Sequence, residues 1–289
     1  MASGYTTTDA LADSIHVIVA GARIVREYEG VMPQLVDKTT LMDEVVDWRE
    51  ITLAKLNAQD VTETTDLDNA QQITDSVITL TPNMVGIYTV ITDKVARSIS
   101  KKTLAKHGAL AQNAIERKKD LAGLAVLDSA TTSLSGAGTT LVSSVIAHGG
   151  VRITSNTTEP GVAPIRCVLH GFQITDLYDE HTAGVGTYPV PEGMTARVFT
   201  EGFKMRIGGV DIFQDDNLTI DSSSDAKGGI FAAAAIPFVQ GMKPKVEVVR
   251  KPNLGGGATG VYHYDEYVYG ERSAGNWLFE VYSDATSPA

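Results

Sequence analysis

The sequence predicts an α+β protein. Three observations carry that prediction: a long amphipathic helix over residues 101–128, strand signals on both sides of an almost wholly polar stretch at 57–72, and a tyrosine-rich β region after residue 245. Between the helix and the tail, residues 165–245 alternate strand and helix signals, as a mixed α/β unit does.

Leu11, Ile15, Ile18, Ala22 and Val25 recur at alternating steps of four and three. Residues 9–29 therefore read as an amphipathic helix, capped by Thr8 or Asp9 and closed by Gly30 and Pro33. Residues 44–56 read as a strand through Val46, Trp48, Ile51 and Leu53. From Asn57 to Gln72 the chain turns polar, with Asp60, Glu63, Asp66 and Asp68 and neither Lys nor Arg. Strand character returns at 73–80, breaks at Pro82, and resumes with Val85, Ile87 and Ile91. A polar loop this long between strands is either functional or disordered. It reads as a surface hairpin or as an arm that reaches a neighbouring subunit.

Leu104, Ala111, Ile115, Ala122 and Val126 form the stripe of the 101–128 helix, widened by Leu110, Leu121 and Leu124. Ser98 or Ser100 caps it. Its other face carries Lys101, Lys102, Lys106, Arg117, Lys118 and Lys119, and a Ser/Thr/Gly stretch at 129–140 ends it. Beyond it, 166–170 reads as a buried strand, 173–180 as a short helix, 182–193 as a Gly/Pro-rich loop and 210–213 as a strand. Residues 218–229 read as a polar loop and 230–238 as an Ala-rich apolar segment. In the tail, Val246, Val248 and Arg250 alternate with Glu247, Val249 and Lys251. Tyr262 and Tyr264 then alternate, as do Tyr267 and Tyr269, with a slip at Asp265–Glu266 that suggests a bulge. Trp277, Phe279 and Val281 make one face of a last strand after a turn at 273–276.

The chain has 289 residues, enough for a sizeable core. Its formal charge of −11 argues against nonspecific nucleic-acid binding, which depends on cations that neutralise phosphates. It does not argue against a container for nucleic acid. A single cysteine, Cys167, permits no intrachain disulfide, and no stretch has the length and apolarity of a membrane-spanning helix.

No pattern of catalysis emerges. Gly255, Gly257 and Gly260 fit G-x-G-x-x-G, but Pro252-Asn253-Leu254 precedes them and a strand follows, so the context for a dinucleotide fails. The six histidines form neither H-x-H nor H-E-x-x-H. Asp215-Asp216-Asn217 lacks the spacing of a calcium loop and reads as a solvated turn. Around Ser273, Glu271 stands where a nucleophile elbow needs its first glycine. The expectation is a non-enzyme with no catalytic residue, cofactor or metal.

The order of elements resembles the Hong Kong 97-type major capsid proteins of tailed bacteriophages, a fold shared with encapsulins. Residues 60–97 look like the extended loop and its return strand, and 102–128 like the spine helix. The stretches VLHGFQITDL (168–177), GGVDIFQDDNL (208–218) and 229–241 are similar to the axial segments. The coat-protein group typified by the podophage N-four is the subtype it most resembles. The resemblance implies an N-terminal arm at 1–43, an extended hairpin at 44–92 and a peripheral domain with the spine helix at 93–164. An axial domain at 165–244 and terminal peripheral strands at 245–289 complete it. It also implies a structural subunit that tiles hexamers and pentamers into an icosahedral shell around double-stranded DNA. Copies of the chain are the main partners, with portal, scaffold or decoration proteins beside them. The place of work is the virion, after assembly in the host cytoplasm. The family prototype crosslinks through a lysine in the extended loop. Lys55 sits on the rising strand and not at the tip, and no crosslink is assigned. Two other readings are an encapsulin-type compartment and a soluble α/β hydrolase or binding protein.

Under the shell reading, the acidic tip (Asp60, Glu63, Asp66, Asp68) of one subunit meets the basic helix face (Lys101, Lys102, Lys106, Arg117, Lys118, Lys119) of the next. The competing reading makes both of them solvated faces.

Overall fold

A computed structural model of the chain describes residues 5–6, 27–28, 30–41, 45–64, 70–98, 101–184, 206–254, 256–273 and 275–288. The helix expected at 9–29 and most of the loop expected at 182–193 lie outside the described residues, as do both caps proposed for the long helix, apart from the backbone of Ser98.

The elements are built around one helix. Strands β1 (Tyr5–Thr6), β2 (Asp37–Thr40), β5 (Asn83–Thr92), β10 (Pro237–Lys251) and β11 (Ala258–Tyr269) form a first sheet in the order β1-β5-β11-β10-β2. Strands β6 (Ile165–Leu169), β7 (Arg206–Ile207), β8 (Val210–Gln214), β9 (Asp225–Ala232) and β12 (Leu278–Asp284) form a second, in the order β12-β9-β6-β8-β7. Strands β3 (Trp48–Leu53) and β4 (Asp75–Leu80) pair only with each other. The helices are α1 (Met32–Leu35), α2 (Asp93–Ser98), α3 (Lys101–Asp128), α4 (Ser143–Thr154) and α5 (Gly171–Gly184). α3 contacts β11 and β5 of the first sheet and β9 and β12 of the second, as well as α1.

The long helix has the predicted limits, but its buried stripe is shifted. Ala111, Ile115, Lys119, Gly123 and Leu127 are buried at steps of four, with Asp120 and Leu124 beside them. Leu110 and Leu121 are exposed and do not widen the stripe. Steps of four drift around a 3.6-residue helix, which lets one helix turn its apolar surface from one sheet to the other. Leu127 is fully buried against β9, where a Cβ on Gly229 would lie 3.0 Å from its Cδ2.

Helix α4 was not expected. Its Gly149-Gly150 pair reads as a helix breaker, yet both glycines are contact points. A Cβ on Gly149 would lie 2.6 Å from Ile230 Cδ1, and one on Gly150 would lie 2.6 Å from Val210 Cγ2. The helix can approach the second sheet only where its side chains vanish.

The expected polar loop at 218–229 contains the start of β9 instead. Asp225, Ala226, Gly228, Gly229 and Ile230 are buried in that central strand. The final strand also has a different place. Grouped by sequence with 245–289, β12 pairs with β9 from Leu278↔Phe231 to Asp284↔Asp225 and so closes the second sheet. The bulge expected at Asp265–Glu266 lies on the neighbouring strand, with the register of β10 shifting between Gln240 and Lys245. The pairing of β11 with β5 runs unbroken from Ala258 to Tyr267. The tyrosines change parity because β11 carries them on both faces. Tyr267 and Tyr269 are buried, while Tyr262 and Tyr264 line the other face, where Tyr262 stacks on Tyr88 at 4.3 Å.

Truncating Leu127 to Ala should cost about 2–5 kcal/mol, the usual range for a buried Leu whose cavity cannot collapse. Urea unfolding of the free chain measures it, and a loss below about 1 kcal/mol would mean that the helix–sheet contact tolerates the cavity.

Candidate functional site

The described surface has no group of His, Cys, Asp or Glu arranged to hold a metal ion. Its conspicuous feature is the β3–β4 hairpin. The two strands pair from Trp48↔Leu80 to Leu53↔Asp75 and join no other sheet. Beyond them the Ala54 amide donates to the Thr74 carbonyl at 2.9 Å, and Gln71 hydrogen-bonds the backbone of Asn57. Ile51, Leu53, Leu56, Val61, Ile73 and Val77 are all exposed on this ribbon. A two-stranded ribbon is at best marginally stable alone in water, and a run of exposed apolar side chains marks a contact surface.

The base of the ribbon is anchored through one side chain that the sequence did not single out. Arg272 donates from Nε to Glu50 Oε2 at 2.6 Å, and from Nη1 to Asp37 Oδ2 at 2.7 Å and the Ala234 carbonyl at 2.9 Å. Its guanidinium also lies 5.5 Å from the Trp48 ring centre. Burial disfavours its charge, but the bonds to Asp37 and Glu50 outweigh that and raise its pKa. Further out, Lys55 Nζ donates to the Thr157 carbonyl at 3.1 Å, so this lysine is engaged within its own chain.

A second exposed region is the distal part of the first sheet. Among the described residues β10 pairs with β2 only over Pro237–Gln240, which leaves its outer edge free from Met242 to Lys251. Val246, Val248 and Val249 are exposed along it.

No protein-family profile matches the chain, and no curated protein does. Solved structures do. The capsid structure of the cyanophage P-SCSP1u covers 97% of this chain and 96% of its own, with a TM-score of 0.72 at 11% identity. The Mycobacterium phage Che8 structure covers 94% and 99%, with 0.70 at 14%. The cyanophage Pam1 capsid covers 100% of both, with 0.68 at 11%. The chain has the Hong Kong 97-type capsid fold.

On this fold the residues expected to meet between subunits separate into three groups. Asp60 and Glu63 are exposed on the ribbon's tip, whereas Asp66 and Asp68 lie outside the described residues. On α3, Lys118 is exposed, and Arg117 pairs with Glu27 of its own chain at 3.2 Å. Lys101, Lys102 and Lys106 belong to the helix, but their side chains lie outside the described ones. Lys119 corrects the expectation. It is 6% exposed and turned inward, with Nζ 2.8 Å from Asp265 Oδ2, itself fully buried, and 5.5 Å from the Tyr267 ring centre. Gln240 and the Glu266 amide hold the other oxygen of Asp265. Its place on the four-residue stripe put Lys119 inside, and its charge disguised that place. Nor is Asp215-Asp216-Asn217 a solvated turn. Asp215 is 1% exposed, and its oxygens accept from the backbone amides of Val31 and Asn217.

Replacing Lys119 by Ala strands a buried carboxylate and should cost about 3–5 kcal/mol, whereas Lys119→Met combined with Asp265→Leu should recover most of it. Urea unfolding of the three chains decides this. Replacing Arg272 by Met should speed cleavage within 54–64 in limited proteolysis and leave cleavage elsewhere unchanged, because the ribbon loses its anchor while the core keeps its packing.

Proposed function

We propose that this chain is the major capsid subunit of a tailed bacteriophage, a structural protein and not an enzyme. The observation that carries the reading is full-length agreement with phage capsid chains at identities near 10%, including one from Ralstonia phage GP4. The exposed ribbon supports it, because such an element gains its stability from a neighbour. Copies of the chain would assemble into hexamers and pentamers of an icosahedral shell around double-stranded DNA, without sequence-specific binding. Portal, scaffold or decoration proteins would be further partners, and the virion its location. The podophage N-four group remains the subtype that the sequence resemblance favours.

In this reading the first sheet with α3 is the peripheral domain and the second sheet is the axial domain. The β3–β4 ribbon is the extended loop that crosses the adjacent subunit. Most of the association energy comes from burying its apolar side chains and from strand pairing. The acidic tip, Asp60, Glu63, Asp66 and Asp68, steers docking against Lys118 and the Lys101, Lys102 and Lys106 turns. Arg117 contributes where Glu27 releases it, and Lys119 takes no part. Exposed pairs of this kind are each worth about 0–1 kcal/mol, so they set register and rate more than strength.

Negative-stain electron microscopy of the expressed chain tests the main claim. Uniform hollow shells or capsomers are expected, and a clean monomer with enzymatic activity would overturn it. Reversing Asp60 and Glu63 to Lys should slow assembly most at low salt, and adding Lys118→Glu should partly restore it. Normal assembly of the double reversal at every salt concentration would refute the steering role.

A further inference from the structure

We propose that Asp120 and Asp215 form a carboxyl latch, which ties the root of the N-terminal segment to the junction of α3 with the second sheet and loosens when Asp120 loses its proton. This holds for the free chain as for any assembly and does not rest on the shell reading.

The geometry is specific. Asp120 on α3 is fully buried, and Asp215, just past β8, is 1% exposed. Asp120 Oδ1 accepts the Met32 amide at 3.0 Å, and Asp215 Oδ2 accepts the Val31 amide at 3.1 Å. Two carboxylates from distant parts of the chain thus take consecutive amides of one segment. Asn217 bridges them, donating Nδ2 to Asp120 Oδ2 and its backbone amide to Asp215 Oδ1, each at 3.0 Å. Asp215 is held in turn by its own amide on the Leu169 carbonyl at 2.9 Å. The segment comes so near that a Cβ on Gly30 would lie 2.3 Å from Asp120 Cγ, so only glycine permits the approach. Immediately beyond, Met32, Leu35 and Val36 enter the core.

Two buried carboxylates cannot both ionise cheaply at close range. Burial, then the charge of Asp215 and a hydrogen bond with it, raise Asp120 to about 7, against the lowering effects of the Met32 amide and Asn217. The other titratable groups around the pair do not neutralise it. Tyr269 on β11 is a buried phenol whose own pKa is raised, by burial first and then by Asp120. His170 at the end of β6 is lowered by burial, which outweighs Asp216 and Asp215. Asp216 accepts the Gly171 amide, and Glu116 and Arg117 lie about one helical turn back, where Arg117 pairs with Glu27. Among the described residues no Lys or Arg forms an ion pair with either carboxylate of the latch.

The sign follows from the raised pKa. A carboxyl that binds its proton more tightly in the folded chain contributes its full stabilisation below its ordinary value of 3.8, and loses it as pH rises through about 7. The latch is closed in acid and loose above neutrality. Its loss would free the amides of Val31 and Met32 without opening either sheet.

Hydrogen exchange of the full-length chain tests this on the amides of Val31 and Met32, with the amides of β6 as an internal reference. After correction for the intrinsic rise of exchange with pH, their protection should fall at least about tenfold relative to β6 between about pH 5 and about pH 8. Asp120→Asn keeps an acceptor for Met32 and cannot ionise, so its protection should stay level across that range. If the variant does not fold, the wild-type comparison of Val31 and Met32 with β6 stands without it. Protection that is level in the wild type, that falls in step with β6, or that falls equally in the Asn variant overturns the proposal.

Discussion

Lys119 and Asp120 are neighbours on one helix, both are buried, and they serve opposite sides of the molecule. Lys119 reaches the first sheet through Asp265, and Asp120 reaches the second through Asn217 and Asp215. A helix turns about 100° per residue, so two successive side chains can point to two different layers. The chain uses this to hold a single helix between two sheets through buried polar groups. Apolar contacts around them tolerate sliding, but a buried ion does not, because every misplaced register strands it away from water.

The placement of that helix explains the small residues of the fold. Glycines 149, 150 and 229 stand where helices press on the second sheet, each at a distance that a Cβ would close. It also explains what remains outside. Both layers spend their apolar residues on the helix and on α4, while the β3–β4 ribbon is tied to the body mainly through Arg272 and carries its apolar side chains into solvent. The body is held firmly in its middle, and the ribbon is tied to it by Arg272 at its base and by Lys55 further out. The exposed edge of β10 extends the same logic, because an unpaired strand row is a template for further pairing.

Much of this plan was legible in the residues. The 3.6-residue periodicity placed α3 at its observed limits, Pro82 marked the break between the ribbon and β5, and the loss of apolar residues after Asn57 marked the tip. These signals are local, because a helix stripe or a turn is written in adjacent residues. α4 and the start of β9 were illegible for the converse reason. Their glycines weaken every local preference and gain meaning only from Ile230, Val210 and Leu127, which are distant in sequence. The parity slip of the tyrosines was visible in β11, but the register shift that accompanies it belongs to β10.

The sequence by itself determined the α+β class, the long helix, the polar-tipped ribbon and the absence of any recognisable catalytic spacing, and the order of these elements pointed to a shell subunit. The tertiary structure alone decided that β12 returns to the second sheet, that Arg272 anchors the ribbon, and that the charged helix face is thinner than it looks. Lys119 shows why. Its charge is a property of the residue, but whether that charge faces water or Asp265 depends on a strand more than a hundred residues away, and no local pattern records that choice.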